Sequence, residues 1–320
     1  MTLITKSLAT KASGHYISRL GGFDMSLNEV LQENHEDLAL VIGNGIHRYC
    51  PQSVNSWDDL LLRLAHRNGI NLTAMPQGAS ATEVFDVIEL RARRRSGELA
   101  KEFCDLMSGW RPLNHHKAIM DWSIRHAVPV LTTNFDEVLS EAANANLMRP
   151  DVKGFTDWYP WDSRYAFDLL DNPCDAFGIW HINGMAKYAR SIRLGLTHYM
   201  GSVQRTRDWL HRGEERLFEA KDRVRWAGRR TWLHLIFNKP LLIFGLGLRE
   251  NEVFLRWLLI ERARYFNKFE DRYKSAWYVY NDNPHDTTQR GRHFFLEKIG
   301  IRCIKAADYN AIYENCAWQK

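Results

Sequence analysis

The sequence predicts an α/β fold in which a mostly parallel sheet is covered by helices on both faces. Three short apolar runs, at 38–42, 128–133 and 241–244, each end abruptly in polar residues or glycines. Strand-like runs alternate with segments that have the apolar spacing of helices. Such apolar runs are typical of strands in a parallel sheet that is buried on both faces. At 320 residues, the chain suits one large domain, or one domain with a helical insertion.

The strands are recognised as apolar runs bounded by turn residues. In chain order, they are predicted at 38–42, 128–133, 176–180, 241–244, 276–280 and 301–304, with a further short strand at 193–197. Residues 151–173 are rich in Trp, Tyr, Asp and Pro and indicate a loop. Its aromatic residues would stack on a ligand base, cover a pocket or pack locally.

The helices are predicted from apolar residues three and four positions apart and from capping residues. They are expected at 25–32, from Ser56 onward, and at 82–106, 114–126, 137–146, 202–237, 251–266 and 294–299. Ser56 is the expected N-cap of its helix, with Asp59 in the first turn. We expect an N-terminal arm at 1–24, one domain at 25–320, and helical insertions at about 58–126 and 198–238.

Composition excludes several classes of protein and site. The five cysteines are odd in number and include no C-x-x-C pair, which argues against a disulfide framework and a four-cysteine zinc site. The net charge of +5 permits nucleic-acid binding without requiring it, and the arginines of 91–95 are expected to form a solvated helix face. The chain contains no apolar stretch of the roughly 18 residues that a membrane span needs and no secretory signal pattern. We therefore expect a soluble cytoplasmic protein.

The adjacent pair His115 and His116 suggests a metal site. No third ligand stands at helical spacing from the pair, however. We therefore interpret both histidines as the exposed start of a helix and expect no bound metal.

Polar groups gather at the predicted strand ends, which is where ligands bind in open α/β sheets. Glycine turns follow the first and last of the three runs, at 43–45 and 245–247, and Asn134 and Asp136 follow the middle run. A further strand end carries His181 and Asn183, which would share one face of an extended segment. Each feature also has a structural interpretation. In that interpretation the glycines form turns, Asp136 caps the next helix, and His181 is a core histidine whose hydrogen bonds are all made within the protein.

The order of these motifs resembles the sirtuin-like family, in particular its bacterial branch without the zinc module. The matching stretches are Gly-Asn-Gly at 43–45, Ser-Trp-Asp-Asp-Leu at 56–60, Thr-Thr-Asn-Phe-Asp at 132–136 and Gly-Leu-Gly at 245–247. Each motif is short, but together they cover roughly residues 38–259 in the family's order. The resemblance implies a Rossmann-like fold that binds NAD.

The zinc-free branch resembles NAD-consuming enzymes of bacterial antiphage defence. The resemblance therefore implies an NAD glycohydrolase that releases nicotinamide and ADP-ribose, with NAD as substrate and no metal. In this reaction the leaving group is already cationic, so the protein must orient ribose and water and stabilise positive charge. Asn134 would hold ribose and water, Asp136 the nicotinamide end, and His181 would act as base. The expected NAD-binding residues are Gly43, Asn44, Gly45, Thr133, Asn183, Gly245, Gly247 and Asn251.

The sequence departs from the family's pattern at the position before the conserved glycine, where Asn183 replaces histidine. The first turn also carries Asn44 in place of a small residue and His47 in place of serine. One alternative is therefore a catalytically weak subunit that binds NAD or ADP-ribose and scaffolds a complex with a hexameric DNA-translocating ATPase. A third hypothesis, less favoured, is a DNA-associated scaffold that uses the arginine-rich helices. The resemblance also implies a homo-oligomer.

Overall fold

The computed structural model describes residues 25–49, 56–92, 95–150, 159–220, 225–249, 252–283 and 286–320. The expected N-terminal arm at 1–24, Trp158 and the candidate ligand residue Asn251 lie outside these ranges. None of the helices in the described ranges has the length and apolar character needed to cross a bilayer.

The strands form one mostly parallel sheet, as predicted. They are β1 (Ala39–Ile42), β2 (Val130–Thr132), β3 (Asn146–Met148), β4 (Arg164–Ala166), β5 (Ile179–His181), β6 (Leu241–Phe244), β7 (Ala276–Asn281) and β8 (Arg302–Ala306). Their order across the sheet is β3-β4-β5-β2-β1-β6-β7-β8. Without the antiparallel pair β3 and β4, the parallel strands follow the doubly wound order 3-2-1-4-5-6. The strand order therefore reverses between β1 and β6, which is where this class of sheet opens a crevice for ligands.

Helices cover both faces of the sheet. They are α1 (Leu27–Glu33), α2 (Gly45–Arg48), α3 (Trp57–Arg67), α4 (Ala81–Ala92), α5 (Ser96–Leu106), α6 (Asn114–Arg125), α7 (Val138–Ala143), α8 (Leu196–His211), α9 (Trp232–Asn238), α10 (Val253–Lys268), α11 (Gln289–Lys298) and α12 (Asn310–Tyr313). In β1, Leu40 and Ile42 pack into a core with residues of α1, α6 and α12. Ala39 and Val41 point into a second core with residues of α9 and α10. This alternation explains why every residue of β1 is buried.

A third core lies beside the sheet, among α3, α4 and α5. These helices bury leucines and phenylalanines against Phe135 and Val138, which follow β2. Ser56 caps α3 by accepting a hydrogen bond from the backbone N–H of Asp59 at 3.1 Å, as predicted. Within the stretch 58–126, α3 to α5 thus form a separate layer, whereas α6 packs on the sheet.

Several sequence-based boundaries were wrong. Residues 193–197 form no strand, because α8 begins at Leu196. The helical run expected at 202–237 is divided between α8 and α9, and the run at 82–106 between α4 and α5. In the aromatic segment, Trp161 stacks on Trp232 with ring centroids 5.7 Å apart, which favours local packing over ligand stacking.

The amino-terminal rim of the sheet, defined here by the residues that precede β1, β6 and β7, is held by one buried arginine. Arg262 of α10 donates hydrogen bonds to the carbonyl oxygens of Ile236, Lys239, Lys274 and Ser275 at 2.7 to 3.2 Å. At the same rim, Asp37 forms ion pairs with Lys239 at 3.2 Å and Lys274 at 2.6 Å. These contacts tie the beginnings of three adjacent strands together.

Candidate functional site

The loops that follow β1, β2, β5 and β6 meet at the opposite end of the sheet, the carboxyl-terminal rim. The amide of Asn134 donates to the carbonyl oxygen of Gly43 at 3.3 Å. The backbone N–H of Gly45 donates to the carbonyl oxygen of Gly245 at 2.8 Å. The structure therefore brings together the glycine turns and the asparagine that the sequence placed at three separate strand ends.

Close packing between the two glycine turns accounts for their glycines. A Cβ atom on Gly43 would lie 2.4 Å from both the carbonyl oxygen of Gly245 and the side chain of Leu246. A Cβ on Gly45 would lie 2.7 Å from the Cα of Gly245 and from the hydroxyl of Tyr313. Because even a methyl group would collide here, no diphosphate can lie between the two turns as they stand. A diphosphate would have to approach from outside them, where Gly247 is exposed.

Asn134 is almost completely buried at the centre of the rim. Its backbone N–H donates to the hydroxyl of Thr132 at 3.1 Å, and that hydroxyl donates to the carbonyl of Ile42 at 3.0 Å. These bonds fix the turn after β2, while the bond to Gly43 directs the amide nitrogen toward β1. The side-chain oxygen of Asn134 has no hydrogen-bond partner among the described residues.

His181 lies at the end of β5, beside Asn134. Its Nδ1 is 2.8 Å from the carbonyl oxygen of Asn134, so Nδ1 carries the hydrogen and Nε2 holds the lone pair. Nε2 is buried and has no partner in the part of the chain that the structure describes. Burial lowers the pKa of His181, although the Asn134 carbonyl, Asp136 and Glu137 oppose this effect. The neighbouring candidate Asn183 is half-buried and donates to the Thr133 carbonyl at 3.4 Å.

Asp136 has a structural bond and a second contact within the site. One carboxylate oxygen accepts the backbone N–H of Val138 at 3.0 Å and so caps α7, the alternative that the sequence left open. The other oxygen lies 3.1 Å from Nε2 of His47. Burial acts to raise the pKa of Asp136, but His47, the Val138 N–H and His181 outweigh it, and the pKa is lowered.

Three buried histidines complete the rim, and the sequence interpretation missed their role. His115 and His116 do begin α6, but they are 6% and 1% exposed, so the predicted surface position was wrong. Each lies four residues before an apolar residue of the buried face, Ile119 or Met120, and this spacing was the available signal. His47, two residues after the first glycine turn, is 2% exposed.

The histidines are not arranged as a metal site. Across the described ranges, no group of three or more histidine, cysteine or acidic side chains is placed to hold a metal ion. Instead, Nδ1 of His47 lies 3.0 Å from Nε2 of His116. Nδ1 of His116 accepts the backbone N–H of Leu113 at 3.0 Å. Burial, with His47 and His115 nearby, lowers the pKa of His116 to about 2.

A cavity of about 420 Å³ lies next to the loop after β6. Its walls include Ser80 and Thr82 at the start of α4, Leu196 at the start of α8, and Arg249 with Val253 before and within α10. Arg249 is exposed and follows Gly247 by two residues, so one wall of the cavity comes from the segment directly after the second glycine turn. Its volume falls in the usual range for small-molecule sites.

Comparison with protein-family models and with curated proteins finds no match for this chain. The geometry of the carboxyl-terminal rim is therefore what bears on function. It combines the strand-order reversal at which doubly wound sheets bind ligands with a cavity lined by Arg249 and Glu83. Among the described residues, the side-chain oxygen of Asn134 and Nε2 of His181 are buried acceptors for which no donor is found.

Proposed function

We propose that the chain binds NAD at the carboxyl-terminal rim and hydrolyses the bond between nicotinamide and ribose. Two buried acceptors carry this proposal, the side-chain oxygen of Asn134 and Nε2 of His181. Leaving a buried polar atom unpaired costs about 1–3 kcal/mol, so a ligand that supplies two donors gains by binding here. Ribose hydroxyls and a water molecule are such donors, and they are the groups that the reaction must orient.

The contacts support distinct roles for the three candidate residues. Asn134 accepts a hydrogen bond from a ribose hydroxyl and so fixes the sugar. Water attacks the ribose carbon C1′, the carbon–nitrogen bond breaks with its electron pair going to nicotinamide, and the water proton moves to Nε2 of His181. His181 suits this step because burial lowers its pKa and keeps the lone pair available. Asp136 supplies negative charge near the cationic transition state.

The remainder of NAD is assigned to the outer side of the glycine turns. Gly43 and Gly45 pack against the second turn too closely to admit a phosphate. The cavity next to Arg249, which Glu83 also lines, offers both volume and a guanidinium group that pairs well with phosphate oxygens. We therefore assign the diphosphate and adenosine to this cavity.

Binding without cleavage is the second candidate function. Asn134 and His181 are 1% and 0% exposed, so a ligand reaches them only after the rim opens. Asn183 also stands where the resembling family has its histidine. A chain that binds NAD or ADP-ribose but cleaves NAD slowly would suit the scaffold role, beside a DNA-translocating ATPase, that the resemblance implies. A place in antiphage defence and homo-oligomer formation remain expectations from the same resemblance.

Incubating the purified full-length chain with NAD and measuring nicotinamide by chromatography tests the proposal. We expect release by wild type and a loss of roughly a hundredfold or more in Asn134→Ala and His181→Gln. Asn71→Ala is the matched control, because Asn71 is exposed in the loop that follows α3. Calorimetric titration with ADP-ribose separates the two candidates. Binding by wild type without nicotinamide release supports the scaffold, and absence of both rejects an NAD site.

A further inference from the structure

A buried chain of hydrogen-bonding groups runs from the start of α6 to Asp136. It begins at the backbone N–H of Leu113, 3.0 Å from Nδ1 of His116. Nε2 of His116 lies 3.0 Å from Nδ1 of His47, although the two residues are 69 positions apart. Nε2 of His47 lies 3.1 Å from the carboxylate of Asp136. The reaction proposed above uses only Asp136, the last group.

The first group, the backbone N–H of Leu113, sets the direction of every hydrogen bond in this series. A backbone N–H can only donate, so Nδ1 of His116 accepts and its single ring hydrogen lies on Nε2. That hydrogen is donated to Nδ1 of His47, whose own hydrogen in the neutral ring then lies on Nε2 and faces the Asp136 carboxylate. Because burial lowers the pKa of His116 to about 2, this ring has no second hydrogen to disturb the order.

The opposite direction is less favourable. Nε2 of His47 would then accept from the amide of Asn134, 3.0 Å away. In that arrangement Nδ1 of His116 carries a hydrogen that faces the backbone N–H of Leu113, so two donors meet. The lone pair on Nε2 of His47 faces the Asp136 carboxylate, so two acceptors meet. The favoured direction leaves one mismatched contact, between the Asn134 amide and His47 N–H. Because each buried mismatch lowers stability, the direction from Leu113 to Asp136, with one mismatch, prevails over the opposite direction, with two.

His47 therefore contacts both polar residues that the proposed reaction requires. Its ring is held between Trp110 and His116, with centroids 5.3 and 5.1 Å away. One edge of the ring then faces Asn134 and Asp136 together. Since the Nδ1 lone pair of His47 accepts the hydrogen of His116, it is not available to act as a base, whereas Nε2 of His181 has no partner among the described residues.

We propose that His47 is a positioning residue, which holds the Asp136 carboxylate beside Asn134 by a donated hydrogen bond and whose tautomer is set by Leu113 through His116. The catalytic part of this proposal rests on the proposed NAD hydrolysis. The hydrogen-bond direction does not, because it follows from contacts in the ligand-free chain.

The direction is tested by NMR on the wild-type chain with ¹⁵N-labelled histidine, without NAD. We expect ring hydrogens on Nε2 of both His47 and His116, assigned from the signals lost in His47→Gln and His116→Gln. His66, which is exposed on α3, provides the reference for a solvated ring. A hydrogen on Nδ1 of His47, or exchange between tautomers like that of His66, overturns the proposal.

The positioning role is tested by kinetics. We expect His47→Ala and the more conservative His47→Gln to lower kcat for nicotinamide release, by roughly a hundredfold for Ala and less for Gln. KM for NAD and the Kd for ADP-ribose should change much less, because Asn134, which accepts the ribose hydroxyl, and His181 are both retained. His66→Gln should match wild type. Unchanged kcat in both His47 variants overturns the role, whereas a wild type that releases no nicotinamide overturns the proposed function and leaves the NMR result to decide the direction.

Discussion

The two ends of the sheet differ in whether their polar groups have hydrogen-bond partners within the described residues. At the amino-terminal rim, Arg262 donates to four carbonyl oxygens, and Asp37 pairs with two lysines. At the carboxyl-terminal rim, Asn134 and His181 each bury an acceptor that has no donor among the described residues. The same strands connect both ends, so the difference arises in the loops.

This contrast separates residues that stabilise the fold from residues that are suited to a ligand. A stabilising network is complete in the ligand-free chain, because every unpaired buried group lowers stability. A binding site keeps some groups unpaired and loses stability until the ligand arrives. Substitutions at the two rims should therefore differ in what they change, and the following three experiments measure that difference.

The largest loss of stability is expected at the amino-terminal rim. Arg262→Met preserves much of the apolar stem but removes the guanidinium donors to the four carbonyls, of which that of Ser275 keeps the backbone N–H of Leu241. We expect the free energy of unfolding to fall by about 3–5 kcal/mol. Urea titration followed by circular dichroism measures it, with the exposed Arg290→Met as control. A loss of stability no larger than that of the control contradicts the role of Arg262 in joining the beginnings of the three strands.

Mild acid should act on the carboxyl-terminal rim, since histidine is the side chain whose ordinary pKa lies in this range. His116 has a pKa of about 2 in the folded chain against an ordinary 6.5, so the unfolded chain binds the proton first. The contribution of neutral His116 to stability is complete above pH 6.5, and it is lost as the pH falls from 6.5 toward the pKa of His116 in the folded chain. Between about pH 7.5 and about pH 5 we expect a loss of roughly 2 kcal/mol.

Urea titrations at the two pH values measure this loss in wild type, in His116→Gln and in the exposed control His66→Gln. The His116 variant should show a smaller pH dependence, and the control should follow wild type. Equal pH dependence in all three chains contradicts a neutral buried His116.

The smallest effect on stability is expected for His181→Phe. The phenyl ring gives up the bond to the Asn134 carbonyl but also removes the unpaired Nε2, so the two effects oppose each other. We expect the free energy of unfolding to change by less than about 1 kcal/mol, while nicotinamide release is lost. A loss of stability similar to that of Arg262→Met would identify His181 as a structural core residue instead.

The sequence predicted the sheet well because its central strands are buried on both faces. The runs that became β1 and β6 are apolar throughout, and that of β2 is apolar up to Thr132; all three end in glycine or polar turns, so their type could be read locally. The antiparallel strands β3 and β4 could not, because neither is an apolar run: β3 is Asn-Leu-Met and β4 is Arg-Tyr-Ala. Their pairing depends on contacts between distant parts of the chain.

The site was predicted in part for the same reason. Asn134, Asp136 and His181 stand directly after strands, so the topology alone brings them to one rim. The partnership of His47 with His116 was missed because it joins α2 to α6, and two histidines far apart in sequence give no local sign of contact. The role of Gly43 and Gly45 in packing also depends on the second turn, which lies some two hundred residues further along the chain.

The outermost strands limit how copies of this molecule could associate. β3 is only three residues long, and β8, at the other border, carries Arg302 and Lys305. Short borders and cationic side chains both discourage the addition of a foreign strand. If the chain forms a homo-oligomer, we therefore expect its subunits to meet through helices, which leaves each sheet a separate unit within the assembly.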